Sequence, residues 1–114
     1  MGTYRIDQQR QACANWARGE VPRNFFEPVH TNLPVLIISG GFDPVTPPST
    51  AKEILSHMPN GQLVLIPFMS HMFEGLSQLE CFDKMVVDFY DHPAGWKVDE
   101  SCVQQMKPPP YKIK

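Results

Sequence analysis

The stretch Leu33–Asp43, LPVLIISGGFD, followed by PVTPP over 44–48 and then by QLVLIPFMSH ending at His71, decides how this chain folds. Leu33 to Ser39 is an apolar run rich in branched side chains, without polar alternation. A strand with one wet face alternates, whereas one covered on both faces does not, so the run reads as a buried parallel strand. Pro34 is tolerated near its start and would not be in its middle. Gly40 and Gly41 end the strand in a loop free to take positive φ. Thr46 followed by Pro47 predicts a helix N-cap with proline at the first helical position. Ala51, Ile54, Leu55 and Met58 continue at helical spacing, and Pro59, Asn60 and Gly61 stop that helix. Leu63 to Phe68 is the second strand. A strand, helix and strand in this order pair in parallel with a right-handed crossover.

Outside this unit the chain is simpler. Residues 4–18 predict a short amphipathic helix with Ile6, Cys13 and Trp16 as its larger apolar groups and Gly19 as its stop. Residues 19–32 are a connector broken by Pro22, Asn24 and Pro28. After His71, Leu76, Leu79, Phe82, Met85, Val86 and Phe89 fall on one face of a long final helix that Pro93 and Gly95 terminate. Residues 93–114 read as an extended tail, with Pro108, Pro109 and Pro110 forbidding helix. Residues 1–114 therefore form a single partial domain of class α/β, with the β-α-β-α unit over 33–92. Two strands apolar on both faces make an incomplete sheet, because an isolated pair is marginal in water. The expectation is that more sheet precedes this portion, or that the chain pairs with another copy along an open strand edge.

Composition narrows the function classes. The chain has 114 residues and a formal charge of -2 with no basic block, which argues against a nucleic-acid surface. No apolar run approaches the roughly 18 residues that span a membrane. The N-terminal residues MGTYRIDQQRQ are polar and do not read as a signal peptide. The 12 prolines fall at element edges and in the tail rather than in a low-complexity tract. Three cysteines, Cys13, Cys81 and Cys102, lack C-x-x-C spacing, so neither a zinc site nor a thioredoxin-like motif is indicated. They are either buried thiols or one disulfide with a leftover thiol, and the second case would imply an exported protein.

Two residues carry chemistry. Asp43 follows the first strand after Gly40, Gly41 and Phe42, and His71 follows the second after Met69 and Ser70. Ligand sites in parallel α/β sheets form at the carboxyl ends of strands. Neighbouring strands lie about 4.8 Å apart, so residues on adjacent strand-end loops can meet. A carboxylate accepting from one imidazole nitrogen fixes the tautomer and leaves the other nitrogen as a base. An acid followed by a histidine is the second half of a Ser, Asp, His order. Each residue has a simpler role available: Asp43 as a loop cap before Pro44 and Thr46, His71 as a surface or helix-start residue. His30 falls in a loop, His57 near a helix end and His92 at a helix C-terminus beside Pro93, none with a strand-end carboxylate before it. Trp16, Phe25 and Phe26 are expected to pack under the sheet. Phe68, Met69, Met72 and Phe73, which flank His71, are expected in core contact, with a hydrophobic pocket wall as the alternative.

The stretch PVLIISGGFDPVTPPSTAKEILSHMPNGQLVLIPFMSH resembles the C-terminal region of α/β-hydrolases of the tripeptidyl aminopeptidase and prolyl aminopeptidase-like (TAP-like) group. The likeness extends to Cys13 and Trp16, which match a C-x-x-W, to Cys81, and to Asp99-Glu-Ser-Cys102 before PPP, so it covers most of residues 8–111. The resemblance implies the C-terminal β-α-β-α portion of an α/β-hydrolase fold, with Asp43 as triad acid and His71 as triad base. It also implies that Cys81 pairs with Cys102 and that Cys13 is left for an upstream partner, with three free thiols as the other possibility. Phe68, Met69 and Ser70 replace the usual Gly-x-Gly before the histidine. Ser39, Ser49, Ser56, Ser70, Ser77 and Ser101 all lie outside a G-x-S-x-G, so no activated nucleophile is expected in this chain.

The expected function is the C-terminal part of a serine hydrolase, an aminopeptidase by resemblance, whose partner is an upstream portion carrying the nucleophile. Its substrate would be a peptide or ester, with no metal and no organic cofactor, and the isolated chain would be inactive. The rivals are a non-catalytic interaction or assembly module that uses an open strand edge, and an ester or epoxide hydrolase. An in-frame G-x-S-x-G upstream separates the first rival from the enzyme.

Overall fold

The computed structural model describes residues 2–73, 75–92 and 95–112. Strand β1 (Val35–Gly40) and strand β2 (Gly61–Ile66) pair in parallel, in register from Val35 opposite Gly61 to Gly40 opposite Ile66. Between them runs helix α2 (Pro48–Leu55), which lies against both strands. Helix α1 (Tyr4–Ala14) precedes this unit; helix α3 (Leu79–Asp91) and a 3-10 turn, Val103–Gln105, follow it.

The core forms on one face of the strand pair. Period-two alternation turns Val64 and Ile66 to the same side, where they are buried with Met69, Leu76, Cys81 and Met85. Leu36 and Ile38 of β1 and Phe82 and Phe89 of α3 pack against this cluster. Leu76, expected in the final helix, is buried in the chain ahead of α3, which begins only at Leu79 after Gln78 adopts a left-handed conformation (φ 59°). Leu79 is consequently on a more exposed position than the helical spacing predicts.

The tail is a structural element rather than a loose extension. Val98, Val103 and Met106 are buried in the same cluster, so the segment expected as an extended tail supplies three of the nine buried residues described there, through a bend and a 3-10 turn. Three devices hold it there. The Gln62 side chain donates to the Trp96 carbonyl and accepts from Val98 N at 2.9 Å. Ser77 N donates to the Lys107 carbonyl at 2.9 Å, and Ser77 Oγ donates to the Gln105 carbonyl at 3.1 Å. Cys81 of α3 is disulfide-bonded to Cys102, and Cys13 is free and exposed. The proline run at 108–110 lies beyond this packed part.

The N-terminal arm departs furthest from expectation. Helix α1 ends at Ala14 rather than at residue 18, and none of its residues is buried. Its composition explains this: Arg5, Asp7, Gln8, Gln9, Arg10 and Gln11 leave no continuous apolar stripe beside Ile6. Trp16, Phe25 and Phe26 do not pack under the sheet; they are exposed at 77, 62 and 85 %. Helix α2 also starts one residue later than predicted, with Pro47 at the cap and Pro48 at the first helical position. Among the described residues no helix is long and apolar enough to cross a membrane.

Candidate active site

Both strands end at one rim. Past Gly40 the chain is tied to the segment after β2: Gly41 N donates to the Ile66 carbonyl and Phe42 N to the Met69 carbonyl, each at 2.9 Å. This approach leaves no room for side chains. A Cβ on Gly41 would collide with the Pro67 carbonyl oxygen, and one on Gly40 with the carbonyl oxygens of Met69 and, at 2.5 Å, Ser70. The two glycines thus serve closeness and do not use the positive φ open to them, which among the described glycines occurs at Gly75 and Gly95.

Asp43 emerges from a tight turn in which its N–H donates to the Gly40 carbonyl at 3.2 Å. Its carboxylate is fully engaged. Oδ1 accepts from Val45 N at 2.8 Å and from Thr46 N at 3.0 Å, the geometry by which aspartate organises a following turn. Oδ2 accepts from Thr46 Oγ1 at 2.6 Å and lies 3.1 Å from His71 Nδ1. Asp43 therefore caps its loop and meets His71 at once. Burial alone would raise the carboxyl's pKa, but the hydrogen bonds from the Thr46 hydroxyl, Thr46 N–H, His71 and Val45 N–H outweigh it. The net effect holds Asp43 well below the usual carboxylate range. Asp43 is buried and His71 half exposed, with side-chain exposures of 7 and 51 %.

An ionised carboxylate only accepts, so Nδ1 of neutral His71 carries the proton toward Asp43 and Nε2 is left with a free lone pair. Among the described residues His71 makes side-chain hydrogen bonds only through Nδ1, to Asp43 and to Thr46. The arrangement can accept a proton at Nε2 and stabilise the resulting imidazolium.

Thr46 is not the helix N-cap that its position before Pro47 predicts. Its hydroxyl makes no cap to α2 and goes to Asp43 instead, where a charge-assisted bond is stronger than one to a neutral N–H. The available signal was its spacing three residues after an aspartate in a proline-rich turn. Ser39, buried one residue before the glycine pair, has a hydroxyl with no hydrogen-bond partner among the described residues. It shares with Asp43, Thr46, Met69 and His71 a cavity of about 200 Å³. A larger cavity of about 620 Å³ lies by the start of β2, between Asn32, Asn60 and Trp96, away from the carboxylate and imidazole.

The remaining candidates disperse. Of the residues around His71, Met69 is buried in the core, whereas Phe68, Met72 and Phe73 are 39, 51 and 39 % exposed and do not belong to it. Phe68 meets Phe42 edge-on, and Phe73 stacks on Phe82. His30 and His57 pair edge-on at 4.6 Å, and His92 caps α3 and stacks on Trp96. No group of three or more His, Cys, Asp or Glu among the described residues could hold a metal ion.

No curated protein and no solved structure matches the chain. The family model described as TAP-like protein matches residues 1–102, which is most of its length. The parallel β-α-β unit with an acid and a histidine at one rim accords with that match. The chain belongs to the TAP-like protein family, a group related to the α/β-hydrolases.

Proposed function

We propose that this chain supplies the acid and base of a serine hydrolase, with His71 as general base and Asp43 as the residue that orients it. The observation that carries this reading is the 3.1 Å contact between His71 Nδ1 and the buried carboxylate of Asp43. A serine on an upstream portion of the hydrolase would attack a peptide or ester carbonyl. His71 Nε2 would take the serine proton and return it to the leaving group, and Asp43 would stabilise the imidazolium between those steps. Within this class the resemblance carried by DPVTPP and its flanking strands favours an aminopeptidase over a simple esterase. No metal and no organic cofactor enters the scheme.

The test compares this chain with the longer polypeptide containing it and a G-x-S-x-G segment. The longer form should cleave aminoacyl amides faster than simple esters and react with a fluorophosphonate, and the isolated chain should do neither. His71→Ala should lower turnover by ~10⁶-fold and Asp43→Asn by ~10⁴-fold, as in other serine triads. Full activity of either variant would refute the assignment.

A second reading, an interaction module, is favoured by the bare N-terminal arm, where Trp16 and Phe26 are 77 and 85 % exposed. Each strand also keeps one edge without a strand partner among the described residues. Under both readings the isolated chain self-associates, and sedimentation should show mass rising with concentration. A monomer at every concentration would contradict self-association through the open strand edges under either reading.

A further inference from the structure

We infer that Thr46 is a positioning residue of this site: its hydroxyl, not the carboxylate alone, sets which nitrogen of His71 carries the proton. The inference rests on the acid–base reading of Asp43 and His71 and extends it to a third side chain. Its ground is the hydrogen-bond geometry at one ring nitrogen. His71 Nδ1 faces two oxygens, Asp43 Oδ2 at 3.1 Å and Thr46 Oγ1 at 3.4 Å. The Thr46 hydroxyl has one proton, and it is committed to Asp43 Oδ2 at 2.6 Å. Oγ1 therefore has only lone pairs to offer the ring, and the ionised carboxylate has no proton to offer. Both neighbours of Nδ1 are acceptors, so the ring must present N–H there and keep Nε2 bare.

The same hydroxyl immobilises the carboxylate. With Oδ1 held by the N–H groups of Val45 and Thr46, and Oδ2 by Oγ1, the carboxylate cannot rotate away from the ring. Thr46 joins both clamps, one through its backbone and one through its side chain. Its backbone contribution survives any substitution other than proline, which makes the hydroxyl separable by mutation. Thr46→Val keeps the shape and removes only the donor and acceptor; Thr46→Ser keeps the hydroxyl.

The experiment is nitrogen-15 NMR of the His71 ring in the full chain at a pH where the ring is neutral. Wild type and Thr46→Ser should show the Nδ1–H tautomer. Thr46→Val should lose a measurable share of it to the Nε2–H form, and its Asp43 carboxyl should titrate at higher pH. A Thr46→Val ring identical to wild type would overturn the inference and leave the acid–base pair standing. A wild-type ring already in the Nε2–H form would instead remove the pair itself. Should Thr46→Val not fold, Thr46→Ala removes the same hydroxyl without the branched bulk, and a Thr46→Ala ring identical to wild type would overturn the role.

Discussion

Asp43 Oδ2 and His71 Nδ1 lie 3.1 Å apart although 28 positions separate the residues in sequence. The ladder from Val35–Gly61 to Gly40–Ile66 brings their loops to one rim. The hydrogen bonds of Gly41 and Phe42 to Ile66 and Met69 then draw those loops together.

Adding a methyl group at that junction should separate the pair. Gly40→Ala places Cβ against two backbone carbonyls, which cannot rotate aside as a side chain would. Overpacking of this kind costs about 1–3 kcal/mol. Urea unfolding should show that loss, and the His71 ring signal should move toward that of a free imidazole. Gly61→Ala is the control, because its nearest obstacle, at 2.7 Å, is the flexible end of Leu55. It should cost less and leave the His71 signal in place.

The Asp43 carboxyl should remain ionised at pH ~3.9, where an unperturbed aspartate is half protonated. Its folded-state pKa is depressed by its hydrogen bonds, so the stability it contributes is complete above the unfolded value. That contribution disappears as pH falls through the lower folded value. Carbon-13 titration of the Asp43 side chain measures this directly, and a midpoint at or above the usual aspartate value would be inconsistent with its four donors.

The tail should behave as part of the fold. The disulfide closes a separation of 21 residues, which the chain-entropy model values at about 3 kcal/mol. Reduction should lower the urea midpoint accordingly and raise hydrogen exchange at Val98, Val103 and Met106 together. Gln62→Ala removes the donor to Trp96 and the acceptor for Val98, a loss of about 1 kcal/mol for each hydrogen bond. It should loosen the 96–98 segment first. Unchanged exchange after reduction would mean that apolar contacts and the hydrogen bonds of Gln62 and Ser77 hold the tail without the disulfide.

What the sequence revealed and what it hid have physical reasons. The unalternating run through Ile37 and Ile38 and the breakers at 59–61 mark a β-α-β unit because strand burial and helix termination are local signals. The place of Asp43 and His71 follows from that unit. The cover of the core was not visible, because Val98, Val103 and Met106 have neither strand nor helix period and join the core only through contacts distant in sequence. Thr46 was hidden by its ambiguity: before Pro47 it has the chemistry of an N-cap, and only the nearby carboxylate diverts it. Trp16 and Phe26 read as core by type, yet both lie in the chain between α1 and β1 and are exposed.

The most direct measurement is the tautomer of neutral His71 in the wild-type chain and in Asp43→Asn, read from its ring nitrogen-15 shifts. In the variant, Val45 N and Thr46 N hold the carbonyl oxygen of the introduced asparagine in the place of Oδ1. The amide NH₂ then faces Nδ1 and can only donate to it. The wild type should therefore show Nδ1–H and the variant Nε2–H. The same tautomer in both proteins would contradict a direct Asp43–His71 hydrogen bond.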